Sequence, residues 1–308
     1  MPRPIAIVTC AEGRPFDDDL DPLLAALATT ALGDRVAVEV VDWDDPAVDW
    51  SRYELALVRS TWDYTQRHRE FLEWTRRCGA ATRLLNAPEV IAWNSDKRYL
   101  RDLEQAGIAV VPSTFVVSAD EPYELPATGE FVVKPTVSAG SRDTIRYLDG
   151  DHAAARAHVD ALVAAGRPTM IQPYQSAIDA EGETALLYFG GRFSHAVNKA
   201  PLLTAGEPAT RALFSEEIIT TTVARPDDVA LADRCLAALG DVEALRGVDL
   251  PLPYARVDVL TGNDGRPAVL ELELTEPSLF LGRAGDDGGA AAAAMFAGVI
   301  VGYLEGET

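Results

Sequence analysis

Short apolar runs alternate with longer stretches of helical periodicity over residues 1–93. Aliphatic and β-branched runs predict strands, and apolar positions three or four residues apart predict helices. The strands are expected at 5–9, 36–41 and 55–58, and the helices at 20–32 and 67–78. Because strands that alternate with helices are typical of a parallel sheet, the pattern predicts a small N-terminal α/β unit.

Residues 94–173 carry shorter apolar runs, separated by loops rich in Ser, Gly, Asp and Pro. A helix is expected from Ser95 or Asp96 to Gln105, ending before Gly107. Further strands are expected at 114–117, 131–134, 145–148 and 169–172, with a helix at 151–165. This pattern favours a small second unit with antiparallel pairing.

Residues 174–308 contain two predicted hairpins and two predicted helices. Gly190-Gly191 joins strands 183–189 and 192–199, and a helix at 227–239 precedes the second hairpin. An alanine-rich run at 290–304 predicts a buried C-terminal helix, since it is too short to span a bilayer. Residues 203–215 have no clear periodicity, which predicts a mobile loop.

The second hairpin is the most informative pattern, because alternating runs flank the turn signal Asp264-Gly265. With a two-residue turn there, Asp258 faces Glu271 and Arg256 faces Glu273. Period-two geometry places these four side chains on one face. The apolar side chains expected on the other face are Val257, Val259, Leu270, Leu272 and Leu274.

Three carboxylates on one face repel each other unless a cation lies among them. Asp258, Glu271 and Glu273 offer only oxygen ligands, which suits Mg²⁺, with Mn²⁺ as an alternative ion. The competing interpretation is an ordinary amphipathic hairpin with a solvated acidic face.

Composition limits the partners of the chain. It has 308 residues, 48% of them hydrophobic, and a formal net charge of −21. This charge argues against nucleic acid and anionic membranes as partners. The three cysteines match no metal or redox spacing, the four histidines form no zinc motif, and no signal peptide is visible. We therefore expect a cytoplasmic protein.

Several segments carry residues suited to a phosphorylated ligand. Lys134 ends an apolar strand before the Ser/Gly loop 136–144, whose backbone could approach phosphate oxygens, although no Walker loop exists. Strand 169–172 could offer its backbone to an adenine edge, and Lys199 could reach a transferring phosphate. Loops 43–46 and 59–64 follow strands of the parallel sheet, where ligands bind. For the two loops, an ordinary strand–helix connection is an equally good interpretation. For the Ser/Gly loop, the strand end and Lys199, each taken alone, a surface loop, an ordinary strand or a solvated lysine is the more common case.

The order of these segments resembles the ATP-grasp superfamily over residues 94–280. The order begins with Lys97 on an early helix, followed by a strand that ends in Lys134 and its Ser/Gly loop. A hinge strand and a glycine-turn hairpin ending in Lys199 come next. Asp258 and the sequence Glu271-Leu-Glu273 complete the order. The nearest groups are glutathione synthetases, ribosomal-protein glutamate ligases and D-alanine–D-alanine ligases. The whole chain is most similar to small actinobacterial ligases typified by the cycloserine-forming O-ureido-serine cyclo-ligase.

The resemblance implies an α/β (α+β grasp) fold with three parts. These are an N-terminal pre-grasp domain (1–93), a central lid subdomain (94–173) and a C-terminal subdomain with the metal site (174–308). It also implies that Lys97, Lys134, Ser138, Gly140, Ser141, Gln172, Tyr174 and Glu183 bind ATP. The implied metal ligands, for two Mg²⁺ ions, are Asp258, Glu271 and Glu273.

The resemblance also implies that Arg256 and Lys199 are the catalytic residues. Two departures stand out: the family often has Asn in place of Glu273 and Arg in place of Lys199, which lacks the bidentate fork of arginine. From their position, the residues expected to shape the substrate pocket are Ser60, Thr61, Trp62, Asp63, Tyr64, Glu276 and Ser278.

The implied activity is an ADP-forming ligase of antibiotic biosynthesis that phosphorylates an acyl or ureido group of a small amino-acid-like substrate and closes a C–N bond. Ring closure within one molecule and ligation of two molecules both remain open, as does homo-oligomerisation. The rivals are a kinase, which would leave phosphate on its product, and a nucleotide-binding module, which ATP would stabilise without turnover.

Overall fold

The computed structural model describes residues 3–30, 36–207 and 217–306. The end of the predicted helix 20–32 and most of the predicted loop 203–215 lie outside these ranges. Within them, the strands form three separate sheets. None of the described helices is both long and apolar enough to cross a membrane.

The first sheet is fully parallel and has the strand order β2-β1-β3-β4. The two central strands, β1 and β3, carry buried aliphatic side chains almost throughout, as expected where a sheet is covered on both faces. The short strand β4 was not predicted. The elements of this unit are β1 (Ile5–Thr9), α1 (Leu20–Ala28), β2 (Val38–Asp42), β3 (Leu55–Val58), α2 (His68–Ala81) and β4 (Arg83–Leu85).

The second sheet is antiparallel, with the strand order β5-β8-β6-β7. Apolar residues of α5 pack against one face of this sheet. The elements are α3 (Pro88–Asn94), α4 (Tyr99–Gln105), β5 (Thr114–Val116), β6 (Phe131–Pro135), β7 (Ile145–Tyr147), α5 (His152–Ala164) and β8 (Thr169–Pro173).

The prediction that Lys97 lies on a helix is wrong. The structure has two short helices where one was expected, and Lys97 occupies the turn between them. The backbone N–H of Lys97 donates to the carbonyl of Thr136 at 2.9 Å. This bond ties the turn to the Ser/Gly loop and replaces a helical hydrogen bond.

The third sheet has the order β11-β10-β9-β12-β13 and is antiparallel throughout. Helix α7 packs on one face, and α8 packs on the other together with α1 of the first unit. The elements are α6 (Ile178–Glu181), β9 (Glu183–Phe189), β10 (Arg192–Lys199), β11 (Ile219–Thr222), α7 (Pro226–Ala237), β12 (Tyr254–Thr261), β13 (Pro267–Glu273) and α8 (Ala290–Glu305). The Gly190-Gly191 hairpin and the buried C-terminal helix are confirmed; β11 was not predicted.

The hairpin register near the acidic residues is confirmed, although the predicted turn is wrong. Asp258 pairs with Glu271 and Arg256 pairs with Glu273. The loop contains three residues, 263–265, and the N–H of Gly262 donates to the carbonyl of Arg266. A β-bulge beyond the Asp258 pair restores the predicted register, because it adds one residue to β13.

The bulge also changes which side chains face the core. Leu270 is the extra residue, and it lines the central cleft instead of the core. Val269 takes its place, with no exposed surface. Residues 109 and 111 hydrogen-bond to the backbone of Val269, which covers the outer edge of β13 and fixes the local kink.

Candidate active site

A cleft of about 470 Å³ collects side chains from all three units of the chain. Its walls include Trp62 after β3, Lys134 on β6 and Glu271 on β13. Every residue predicted to bind ATP lines it: Lys97, Lys134, Ser138, Gly140, Ser141, Gln172, Tyr174 and Glu183. The other predicted residues found there are Lys199, Arg256, Glu271, Glu273, Trp62, Tyr64, Glu276 and Ser278.

The predicted substrate residues Ser60, Thr61 and Asp63 do not line the cleft. Ser60 and Thr61 have no exposed surface, because the chain turns inward before the short 3₁₀ helix Trp62–Gln66. Asp63 accepts a hydrogen bond from the indole N–H of Trp43 at 2.8 Å. These side chains belong to the packing of the first unit, and their assignment to the substrate pocket is corrected.

Glu271 lies between two lysines of the cleft. Its Oε1 is 2.8 Å from Nζ of Lys134 and 3.8 Å from Nζ of Lys97. Burial alone would raise the pKa of Glu271, but the two ammonium groups outweigh it and lower that pKa well below its usual range. Glu271 is therefore ionised at neutral pH, and it gathers Lys97 and Lys134 at one point.

Arg256 is buried and holds two carboxylates. Its Nε and Nη2 donate to the two oxygens of Asp258 at 2.8 and 2.9 Å, and Nη2 also contacts Glu273. Burial raises the pKa of Glu273 to about 7, with Arg256 opposing the effect of burial and Asp258 adding to it. Asp258 is only 1% exposed and lies behind Arg256, outside the cleft lining.

Lys199 is also buried among acidic groups. Its Nζ is 3.1 Å from Asp258 and 3.7 Å from Glu183. Burial would lower the pKa of Lys199, but these two carboxylates raise it well above its usual range. Burial raises the pKa of Glu183, with Lys199 opposing it. Lys199 therefore carries a positive charge at neutral pH.

The three predicted metal ligands share one side of the hairpin, but each is neutralised by Lys or Arg. Among the described residues, no three His, Cys, Asp or Glu side chains converge closely enough to hold a metal ion. The donor set still suits Mg²⁺, since Glu271 and Glu273 line the cleft and each uses only Oε1 in its described ion pair. Asp258 fits less well, because both its oxygens accept hydrogen bonds from Arg256.

One end of the cleft suits a nucleotide. Nζ of Lys97 donates to the carbonyl of Ser138 at 2.8 Å, and Gly140 and Ser141 have positive φ angles of 58° and 57°. Successive left-handed residues in a loop turn backbone N–H groups toward one side, which favours anion binding. The apolar wall residues that sequence reasoning missed are Val111, Val132, Ile178, Leu202, Leu203 and Leu270.

The hinge strand β8 is held from outside the cleft. The guanidinium of Arg146 lies 3.5 Å from the ring centre of Tyr174, whose hydroxyl donates to Asp179 at 2.6 Å. The side-chain amide of Gln172 donates to Ser113 Oγ at 2.9 Å. Because both side chains already have protein partners, the hinge would contact a base mainly through its backbone and the Tyr174 ring.

The other end of the cleft is formed by the first unit and by residues 276–281, which we term the anchor segment. Pro15, Phe16, Asp18 and Phe280 line this end and were missed by sequence reasoning. They come from the short 3₁₀ helix Arg14–Phe16, from the turn that follows it and from an irregular segment, where no periodicity marks them.

The backbone of the anchor segment is bound by distant side chains. Arg59 donates to the carbonyl of Pro277 at 2.8 Å, and His195 Nε2 lies 2.9 Å from the carbonyl of Leu279. Asp19 accepts from the N–H groups of residues 279, 280 and 281 at 2.6, 3.2 and 2.6 Å. Phe280 is held in a left-handed conformation with φ of 51°. The backbone of this segment is therefore held by hydrogen bonds to side chains from other parts of the chain.

Comparison with known proteins gives consistent matches. A family model described as the N-terminal domain of the D-cycloserine synthetase DcsG matches residues 5–86. The chain is 39% identical to the cycloserine biosynthesis protein DcsG of Streptomyces lavendulae over 285 residues, which are 90% of this chain and 92% of that protein.

Two solved structures are similar to this chain over almost its whole length. A crystal structure of D-cycloserine synthetase DcsG is similar with a TM-score of 0.86 and 36% identity, over 97% of this chain and 99% of that chain. The D-alanine–D-alanine ligase from Bacillus anthracis complexed with ATP has a TM-score of 0.62 and 14% identity, over 99% of this chain and 100% of that one. At that identity the likeness shows a shared fold alone.

Proposed function

Because this chain belongs to the D-cycloserine synthetase family of ATP-grasp ligases, which form C–N bonds at the expense of ATP, we propose that it closes the ring of an O-ureido amino acid. The expected substrate is O-ureido-D-serine and the expected product is D-cycloserine. The oxygen-bound ureido nitrogen would displace phosphate from the activated carboxyl group, and hydrolysis would release the carbamoyl group as CO₂ and ammonia. The observation that carries the proposal is the cleft in which lysines, carboxylates and a buried arginine meet beside residues of the first unit.

The nucleotide end would hold ATP through charge and backbone contacts. We propose that Lys97, Lys134 and the loop with Ser138, Gly140 and Ser141 bind the phosphates. Lys97 and Lys134 already lie on one carboxylate, Glu271, which keeps both ammonium groups at the same point. The hinge at Gln172 and Tyr174 would bind the adenine, and Glu183, beside Lys199, would face the ribose side.

Asp258, Glu271 and Glu273 are the proposed magnesium ligands, for two ions. Bound Mg²⁺ neutralises charge on the β- and γ-phosphates of ATP. Glu271 and Glu273 would offer it the oxygens that their ion pairs leave free, and Asp258 would do so once Arg256 gives up one of its two hydrogen bonds. The ion pairs also place Lys134 and Arg256 where they could contact phosphate oxygens.

The chain's own residues have three tasks in the proposed reaction. Arg256 and Lys199 are cations placed to offset the charge that grows on the transferring phosphoryl group and on the acyl oxygen. The anchor segment, with Ser278 and Glu276, and the rings of Trp62 and Tyr64 would orient the substrate. The enclosing walls would keep water from the activated intermediate. No nucleophilic side chain is required.

We further propose that the protein acts in the cytoplasm on a small molecule, without nucleic acid. Its described cysteines, at 10, 78 and 235, are free and buried, which suits a reducing compartment in which ATP is present.

The experiment is a measurement of ADP release with O-ureido-D-serine, single amino acids and dipeptides, with the product identified by mass. Release that depends on O-ureido-D-serine alone, with D-cycloserine as product, supports ring closure within one molecule. Release that requires two amino acids would show an intermolecular ligase. A product that retains phosphate would show a kinase, and ATP binding without ADP release would show a binding module.

A further inference from the structure

Glu276 differs from three other carboxylates of the cleft. Glu183, Glu271 and Glu273 each lie within 4 Å of a Lys or Arg nitrogen. Among the described residues, Glu276 has no ion pair, yet it is only 9% exposed and lines the cleft. Its neighbour is Tyr64, a buried phenol that carries no charge. Glu276 therefore has no described Lys or Arg nitrogen within 4 Å, although the more distant charges of Lys97 and Arg256 oppose the rise of its pKa.

Such a group is costly to ionise in the free protein. Burial, together with the nearby charge of Glu273, raises the pKa of Glu276 to about 8. A ligand that brings its own positive charge would remove this cost, because a buried carboxylate is stable when it is paired and hydrogen-bonded. Tyr64 would remain as a hydrogen-bonding partner of the pair.

We propose that Glu276 binds the α-ammonium group of a zwitterionic amino-acid substrate and thereby selects substrates with a free amino group. This assignment rests on the proposed function, since it takes the same cleft end as the substrate pocket. The role of Glu276 differs from that of the hairpin carboxylates, because each of those already has a protein cation within 4 Å.

The surroundings fix the direction of the bound amino acid. The indole N–H of Trp62 donates to the carbonyl of Glu276 at 3.2 Å, and Arg59 donates to the carbonyl of Pro277. The backbone that carries the carboxylate is therefore hydrogen-bonded at two successive residues. Arg256 donates to the carbonyl of Ser278 at 3.3 Å, two residues further on. A substrate with its ammonium group on Glu276 would therefore point its carboxyl group toward Arg256 and the nucleotide.

The test is Glu276→Gln in the full chain, which keeps the shape and removes the charge. We expect the KM for O-ureido-D-serine to rise about 10- to 100-fold, the worth of a hydrogen bond to a charged group, while the KM for ATP changes less than about twofold. N-acetylated substrate should be poor for the wild type and equally poor for the variant. Glu12→Gln, an exposed glutamate outside the cleft, is the matched control.

Three results would overturn the inference. One is a KM for O-ureido-D-serine that Glu276→Gln leaves within about twofold of wild type. The second is a larger increase from Asp18→Asn, the other carboxylate at this end of the cleft. The third is a raised requirement for Mg²⁺ in Glu276→Gln, which would make Glu276 a metal ligand.

The readout also separates this inference from the proposed function. If O-ureido-D-serine is not turned over, calorimetry with the panel of amino acids takes its place. Affinity for any of them that Glu276→Gln weakens supports the ammonium site while the ring-closing activity is rejected. An absence of binding by every amino acid to the wild-type protein would reject the ammonium site as well.

Discussion

Two neighbouring stretches of the chain bring carboxylates to the cleft in different ways. In the β12–β13 hairpin, the acidic side chains share one strand face and each contacts a lysine or arginine. In the anchor segment, the single carboxylate has no described cation, but the backbone around it is held by Asp19 and Arg59 from the first unit. Ion pairs therefore hold the charged side chains of the hairpin, whereas hydrogen bonds hold the backbone of the anchor segment.

The difference indicates which ligand each region accepts. A cation that binds the hairpin competes with the Lys and Arg side chains already paired there, so it needs the charge density of a divalent metal. A cation that binds Glu276 displaces nothing among the described residues, so a single ammonium group is enough. The two regions are therefore suited to a metal–nucleotide complex and to an amino acid.

The largest effect is expected when the hairpin loses a charge. Glu271→Gln removes a proposed magnesium ligand and the counterion of Lys134 while keeping the side-chain shape. We expect kcat/KM to fall about 10³-fold, equivalent to about 4 kcal/mol of lost stabilisation. Measurement of ADP release across a Mg²⁺ titration checks this, and excess Mg²⁺ should recover part of the loss.

Asp264→Asn is the matched control on the same hairpin, because its exposed carboxylate contacts only the neighbouring Arg266 at the turn. It should keep full activity. A Glu271→Gln protein that releases ADP at the wild-type rate would show that the metal assignment is wrong. Asp258→Ala is expected to lose activity too, but it also strips a shared partner from Arg256 and Lys199, so its fold must be checked separately.

Only the first of these two regions could be predicted from the sequence. Alternation and a turn signal are local, so the pairing of Asp258 with Glu271 followed from counting residues. The bonds that hold the anchor segment join residues as many as 262 positions apart. No periodicity records such contacts, and the acceptor role of Asp19 was therefore missed.

The second largest effect is expected from the anchor segment. Asp19→Ala removes the acceptor of three backbone N–H groups and leaves Arg59, which is 1% exposed, with Asp17 at 3.6 Å as its one described carboxylate partner. Loss of one partner of a buried ion pair should cost about 3 kcal/mol of unfolding free energy. Urea denaturation measures it, and the neighbouring Asp18→Asn should be close to neutral because that residue is exposed.

A loss of stability that is equal in Asp19→Ala and Asp18→Asn would contradict the role of the buried network. So would a KM for the amino-acid substrate that stays unchanged in Asp19→Ala, since a released anchor segment can no longer place Glu276.

A third, smaller effect tests the bulge that separates the hairpin's two faces. Val269 is fully buried in the core, whereas Leu270 is half-buried and lines the cleft. We expect Val269→Ala to lower the unfolding free energy by about 2 kcal/mol and to leave the KM for ATP unchanged. Leu270→Ala should do the reverse, with a raised KM for ATP and little loss of stability.

The opposite pattern, with Leu270→Ala the destabilising change, would restore the simple two-residue turn expected from Asp264-Gly265. The sequence could not reveal the bulge. A three-residue loop with one extra residue in β13 pairs Asp258 with Glu271, and so does a two-residue turn without a bulge. The same limit explains Ser60, Thr61 and Asp63: a polar loop after a strand indicates that a ligand site is near, but only packing decides which side chains turn inward.

The smallest effect concerns the unpaired carboxylate itself, in the protein without ligands. The pKa of Glu276 is raised from 4.5 to about 8, so the folded state binds more protons than the unfolded state between these values. The stability contributed by this group therefore falls as the pH rises through that window. Glutamine cannot ionise, and Glu276→Gln should be relatively more stable at about pH 8 than at about pH 5, by about 1 kcal/mol, because the open cleft admits water. Urea denaturation at both pH values measures this difference, with Glu12→Gln as control. An equal stability change at both pH values would mean that the protein already neutralises Glu276, and the contrast with the hairpin would be lost.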